Sequence, residues 1–227
     1  MRIAASFIAT LALVATSVMA ATPHKKHHSK PHHDDVIVIN KKVLDTEKVP
    51  YVNNTGNGTY LNWVGLNIDF KYVKPIFDLV NSTQSIANGT LISRGESHIT
   101  VILPPEYDNI LHPAGVNIDE LNVLALKNNR LQRSKFEIEC LGRVQVVSQP
   151  DGVYQQAVQI IIKNFDDIVA YRQEVFELFV KKGGNPALFD PANFTPHITV
   201  GFRHRDIFVE DGVFKGKNAC IRKMIAK

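Results

Sequence analysis

After residue 20 this chain contains no unbroken apolar run long enough to span a bilayer, which excludes an internal membrane helix of the usual length. It has only two cysteines, Cys140 and Cys220. Neither sits in a recognisable nucleophile setting, which argues against a catalytic thiol. Histidine is also sparse beyond the N-terminal segment, where only His98, His112, His197 and His204 occur. No Asp or Glu accompanies His98 or His197 in the spacing a metalloenzyme uses, so a metal-dependent reading ranks last. Nor is there a strong excess of charge. The formal net charge is +4, and much of that basicity lies in "TPHKKHHSKPHH", so charge alone does not decide the partner.

The first twenty residues, "MRIAASFIATLALVATSVMA", combine Arg2, an apolar run and small residues at Val18 and Ala20. That pattern is a secretory signal peptide cut after Ala20, and it predicts a secreted, extracellular protein. Sequons at Asn53, Asn57, Asn81 and Asn88 agree with that route and mark a glycan-decorated region; a fifth, at Asn193, abuts Pro196 and is the least suited. In an oxidising compartment Cys140 and Cys220 are expected to pair, the alternative being two separate buried thiols. Residues 21–35 are His, Lys and Pro with almost nothing to bury, which predicts a disordered leader. Its histidines, His24, His27, His28, His32 and His33, could bind metal weakly, but a solvated tail is the default. Lys41-Lys42 offers a processing site that would remove it.

Residues 36–227 have the length of one domain or of two small lobes sharing a core. "WVGLNIDF" (63–70) reads as a strand, and "KPIFDLVNSTQS" (74–85) as a helix with Pro75 in its first turn. In "NIDELNVLALKNNRLQ" (117–132) Asn117 and Glu120 form a capping box ahead of Ile118, Leu121, Leu124 and Ala125 at helical spacing. Strands are expected at 136–147 and 156–164. A helix follows over 166–184, with Ile168, Val169, Arg172, Val175, Phe176, Phe179 and Val180 on one face and a stop at Gly183-Gly184.

Against this background one tetrapeptide is written twice. "HITV" begins at His98 and again at His197, each time after a helix and a polar loop. On a strand, His and Thr share one face while the intervening Ile and the following Val share the other. Each copy therefore presents an imidazole and a hydroxyl side by side. Cleaving a phosphodiester without a metal needs one group to take a proton from the nucleophile and another to protonate the leaving oxygen, and imidazole can do either near neutral pH. Threonine hydroxyls can donate hydrogen bonds to the nonbridging oxygens. A single His-x-Thr would mean little, since a strand histidine is commonly structural; two copies in corresponding halves favour catalysis.

These two His-x-Thr motifs, about a hundred residues apart, resemble the signature of the two-histidine (2H) phosphoesterase superfamily, which includes cyclic nucleotide phosphodiesterases and ligase-associated RNA phosphoesterases. The likeness spans about 60–205. It implies an α+β fold with two pseudo-symmetric lobes, two antiparallel sheets lining a central cleft, helices outside, and no metal or other cofactor. By position it makes His98 and His197 the acid/base pair and Thr100 and Thr199 the phosphate-holding hydroxyls. It further implies His197 as base, His98 as acid, and a 2′,3′-cyclic phosphate of a nucleotide or RNA end as substrate. No obligate protein partner is evident, and a monomer is expected.

Continuing the strand parity past "PHITVGF" puts Arg203, and Arg205 beyond it, on the side of His197, where they could bind the substrate; the alternative is that "RHRD" is a solvated turn. Parity before the first motif puts Glu96 and Arg94 on the side of His98. Two other functions compete with hydrolysis: a non-catalytic module that binds phosphorylated ligands in the same cleft, and a metal-dependent protein.

Overall fold

A computed structural model describes residues 36–83 and 86–227. The expected signal peptide and His-rich leader lie outside the described residues. Those described belong to one compact unit. Its chain order is β1 (Val36–Ile39), β2 (Val64–Ile68), α1 (Phe70–Ser82), β3 (Ser97–Ile102), α2 (Pro104–Glu106), α3 (Ile118–Leu126), β4 (Glu137–Val147), β5 (Tyr154–Lys163), α4 (Asp166–Lys181), β6 (His197–Arg203) and β7 (Cys220–Ala226), with short 3-10 and π turns between. Among the described residues no helix is long and apolar enough to cross a membrane.

Local chemistry explains most boundaries. Asp69 accepts a hydrogen bond from the Lys71 amide, so α1 starts at Phe70, directly behind β2. Pro75 therefore lies inside the helix and not in its first turn, a correction that follows from the cap acting one turn earlier than the proline suggests. The capping box forms as expected: Asn117 accepts from the Asp119 amide, and Glu120 accepts from the Asn117 amide. That helix stops at Leu126, short of the expected 132, because Asn128 and Asn129 both take φ of 54°, a left-handed conformation Asn tolerates better than most residues. α4 ends where the Gly184 amide donates to the Phe179 carbonyl and Gly183 adopts φ of 89°.

All seven strands hydrogen-bond into one sheet of order β1-β7-β4-β5-β6-β3-β2. Only β1 and β7 run parallel. The α+β class holds, but two separate sheets give way to one, because the motif strands themselves join the halves. Ile99 of β3 pairs with Ile198 of β6, the single registered pair at that seam, whereas β4 and β5 pair along their whole length.

One face of the sheet is dry. Val73, Ile76 and Val80 of α1, Leu121 of α3, and Ile168, Val175 and Phe179 of α4 join Ile99, Ile198, Val200, Ile160 and Leu141 in the main core. Burying such a side chain contributes about 1.5–3 kcal/mol, so this face carries most of the stabilisation. On the opposite face, residues 204–219 fold over the sheet, where Ile207 and Ala219 pack with Val144, Ala157 and Phe202 in a second, smaller cluster. The uncovered remainder of that face carries both motifs.

Arg172 ties the two motif regions together. Its side chain has no exposed surface, and it forms a bidentate pair with Glu106 at 2.8 and 3.0 Å. It also donates to the carbonyls of Val101, at the end of the first motif, and of Asp190 and Pro191, on the approach to the second. The rings of Phe189 and Phe194 flank its guanidinium, at 4.8 and 4.4 Å. Helical periodicity places Arg172 on the buried face of α4, and these partners are why a charge can stand there.

Candidate active site

The strand alternation expected of both motifs is present. In β3, Ser97, Ile99 and Val101 are buried while His98 and Thr100 are partly open; in β6, Ile198 and Val200 are buried while His197 and Thr199 are partly open. Continuing the register from Ile99 opposite Ile198 sets His98 across from Thr199 and Thr100 across from His197. The four side chains therefore share one face of two adjacent strands. Thr199, His98, Glu96, Arg94 and Phe202 line one small cavity. A larger cavity of about 750 Å³ lies over β4 and β7, between Glu139, Lys163, Lys217 and the disulfide. It contains no histidine, whereas the smaller one holds His98 and Thr199 from the two motifs; His197 and Thr100 are not among its lining residues.

Each imidazole is pinned at Nδ1. His98 Nδ1 stands 2.8 Å from Glu96 Oε2, and His197 Nδ1 stands 2.8 Å from the Thr195 carbonyl oxygen. Both oxygens accept, so both Nδ1 atoms carry hydrogen, and Nε2 of each ring is left for substrate. The two environments then diverge. Burial pushes the His197 imidazole down to about 4; the charges of Lys215 and His98 act in the same sense, and the Thr195 bond and Asp206 oppose it without prevailing. His197 is neutral at pH 7, the form in which Nε2 accepts a proton. For Glu96, desolvation acts upward, but the hydrogen bond and charge of His98 and the charge of Arg94 outweigh it and hold the carboxyl below its usual range.

Trp63, just ahead of β2, completes the wall. Its ring centroid lies 4.5 Å from that of His98, at a tilt of 43°. The ring also covers Gly65, where an added Cβ would come within 2.6 Å of Trp63 Cζ3. Gly65 pairs with Thr100 and Asn67 with His98, so β2 forms the floor beside the first motif. The strand parity of Trp63 and Gly65 was legible in the sequence, but nothing there said the indole would fold back along its own strand.

The proposed substrate arginines are not brought to the histidines. Gln159 pairs with Thr199 while Val158 pairs with Gly201, so Val200 is an extra residue in β6 and the parity flips beyond it. Phe202 turns to the site face, while Arg203 turns away, donating to the Asn88 carbonyl and lying 5.6 Å from the Tyr154 ring. Arg205 forms a bidentate pair with Asp211. Gly201 leaves room for packing, not substrate: a Cβ there would stand 3.1 Å from Phe77 of α1 and 3.2 Å from Leu91. Arg94 is the arginine at the cavity. His112 stacks near Tyr107 and His204 accepts from Arg203, both outside the motif pair.

Cys140 and Cys220 are joined, with Cα atoms 5.7 Å apart on the neighbouring strands β4 and β7. All five sequon asparagines, Asn53, Asn57, Asn81, Asn88 and Asn193, are exposed. The Asn81 amide also clasps Leu91, donating to its carbonyl at 3.3 Å and accepting from its amide at 2.8 Å.

Two pinned imidazoles and two hydroxyls thus share one face of adjacent strands. The family model of the Swiss Army Knife 2H phosphoesterase domain (2H-SAK) matches residues 62–208, and the chain belongs to that family. The matched span begins beside Trp63 and includes both motifs. Comparison with curated proteins and with solved structures returns no match.

Proposed function

We propose that this phosphoesterase hydrolyses the 2′,3′-cyclic phosphates of nucleotides or RNA ends, without a metal, and that it works outside the cell. The observation that carries the mechanism is the unequal anchoring of the two imidazoles: His197 is neutral against a carbonyl, and His98 is held by a carboxylate. His197 Nε2 takes a proton from water, and the water oxygen bonds to phosphorus. The bond from phosphorus to the leaving ribose oxygen breaks, and that oxygen receives the proton from His98 Nε2. Thr100 and Thr199 donate to the nonbridging oxygens as charge builds there. The product is a phosphomonoester, the 2′-phosphate on the family likeness. The signal-like N-terminal segment and the sequons support export.

The test is incubation of the purified mature chain with nucleoside 2′,3′-cyclic phosphates in excess chelator. Monophosphate should accumulate. Activity lost to chelator and restored by zinc would overturn the metal-free route. Tight binding of the cyclic phosphate with no turnover would identify a non-catalytic module instead.

A further inference from the structure

The proposed chemistry uses the histidines and threonines, yet a further buried ion pair stands outside it. Lys215 Nζ stands 2.6 Å from Asp206 Oδ1, with both side chains only 6% exposed. Arg94 Nη2 approaches the other oxygen of the same carboxylate at 3.2 Å. For Asp206 desolvation acts upward, but the charges of Lys215 and Arg94 hold it below the usual carboxylate range, so it is an anion shared between two cations. Within the triad two cations share one carboxylate, and Arg94 also acts on Glu96 at the same cavity.

Their placement matters more than their count. Arg94 lines the small cavity beside His98 and Thr199, and its guanidinium lies 5.6 Å from the Phe202 ring at the same cavity. Lys215 lies close enough to His197 that its charge is the largest influence on that imidazole after burial. Asp206 bridges the two cations, at 2.6 Å from Lys215 and 3.2 Å from Arg94. The segment that delivers Lys215 is held down by Ile207 and Ala219 in the second apolar cluster, and by the disulfide at Cys220 immediately after it. Placing two cations on one buried carboxylate is costly unless the excess charge is met.

We propose that Arg94 and Lys215, organised by Asp206, form the oxyanion-binding element of this site and select a phosphodiester carrying one negative charge. This deepens the proposed function and rests on its location of the reacting phosphorus between His98 and His197. The Glu96–His98 pair is self-compensating when His98 is charged, so the triad supplies the charge that meets the substrate's anionic oxygens. Burial keeps His197 neutral, and the charge of Lys215 acts in the same sense. The charged groups that face His197 are Lys215, Asp206 and His98; those that face Lys215 are Asp206, Arg94 and Asp211.

Titration of the full chain with inorganic phosphate tests the element without requiring turnover, and kinetics on a 2′,3′-cyclic phosphate test its part in the reaction. Arg94→Gln and Lys215→Met should each weaken phosphate binding about ten- to a hundredfold, the range expected for a lost charge-assisted hydrogen bond. KM should rise more than kcat falls. Lys215→Arg should recover most of the binding, which a merely structural role would not require. In Lys215→Met the acid limb of kcat/KM should move to higher pH, because a positive charge that lowers the His197 pKa has been removed. Arg94→Gln leaves the buried Asp206–Lys215 pair intact and its side chain is 39% exposed, so it decides the matter if Lys215→Met fails to fold. Phosphate binding by folded Arg94→Gln within about twofold of the unaltered chain overturns the inference. Phosphate binding that depends on the triad, in a chain that cleaves no cyclic phosphate, upholds it and refutes the proposed function instead.

Discussion

Ile99 lies opposite Ile198 in the antiparallel pair of β3 and β6. Because the two isoleucines point into the same dry core, their neighbours His98, Thr100, His197 and Thr199 must all point to the opposite face. The core and the site are thus two sides of one register.

Arg172 secures that register from behind, through Val101 on one side and Pro191 on the other. Arg172→Met is expected to destabilise the chain by about 3–5 kcal/mol, since Glu106 would be left without its buried partner. Denaturant unfolding measures it. A loss below about 1 kcal/mol would show that the pair is not what holds the motif strands together.

His197 should govern how the site responds to acid. Its pKa is lowered in the folded chain relative to its ordinary value of 6.5, so between 6.5 and about 4 the unfolded chain binds the proton and the folded chain does not. Stability should therefore fall as pH drops through that window. The acid limb of kcat/KM should lie well below the ordinary histidine range. A limb near 6.5 would place the base in a solvated setting and contradict the burial argument.

The motifs, their strand parity, the capping box and the extent of α4 were legible because each follows from local spacing. Three features were not. The bulge at Val200 depends on how β6 registers against β5, and it alone reverses the side on which Arg203 lies. The pairing of β3 with β6, which makes one sheet of two halves, joins residues about a hundred positions apart. Asp206 and Lys215 lie on a covering segment with no periodic pattern, so no spacing announces their pairing. Glu96, in contrast, was visible from parity as a neighbour of His98, although its hydrogen bond to the imidazole was not.

Glu96 should matter through its charge. Glu96→Ala removes a charge-assisted hydrogen bond to the proposed acid, and turnover should fall about ten- to a hundredfold. Glu96→Gln, which can still accept from Nδ1–H, should lose less. Turnover of Glu96→Gln equal to that of the unaltered chain in steady-state assays would show that the carboxylate's charge plays no part.

The disulfide joins residues 80 positions apart and closes a loop that includes the whole of α4 and β6. Removing it, as Cys140→Ala with Cys220→Ala, should cost about 4 kcal/mol of stability on the chain-entropy account. Thermal unfolding with and without reductant provides the comparison. Unchanged melting would mean that the two thiols are free in the mature chain.

The most direct test of the paired-histidine account is turnover of His98→Ala, His197→Ala and the double variant on a 2′,3′-cyclic phosphate, with folding checked by circular dichroism. Each single change should lower turnover by about 10² to 10⁴-fold, the usual contribution of one acid or base. The double variant should lose much less than the product of the two losses, because the imidazoles act as a unit. Near-normal turnover in either folded single variant would contradict the mechanism and leave the repeated "HITV" a structural feature of the sheet.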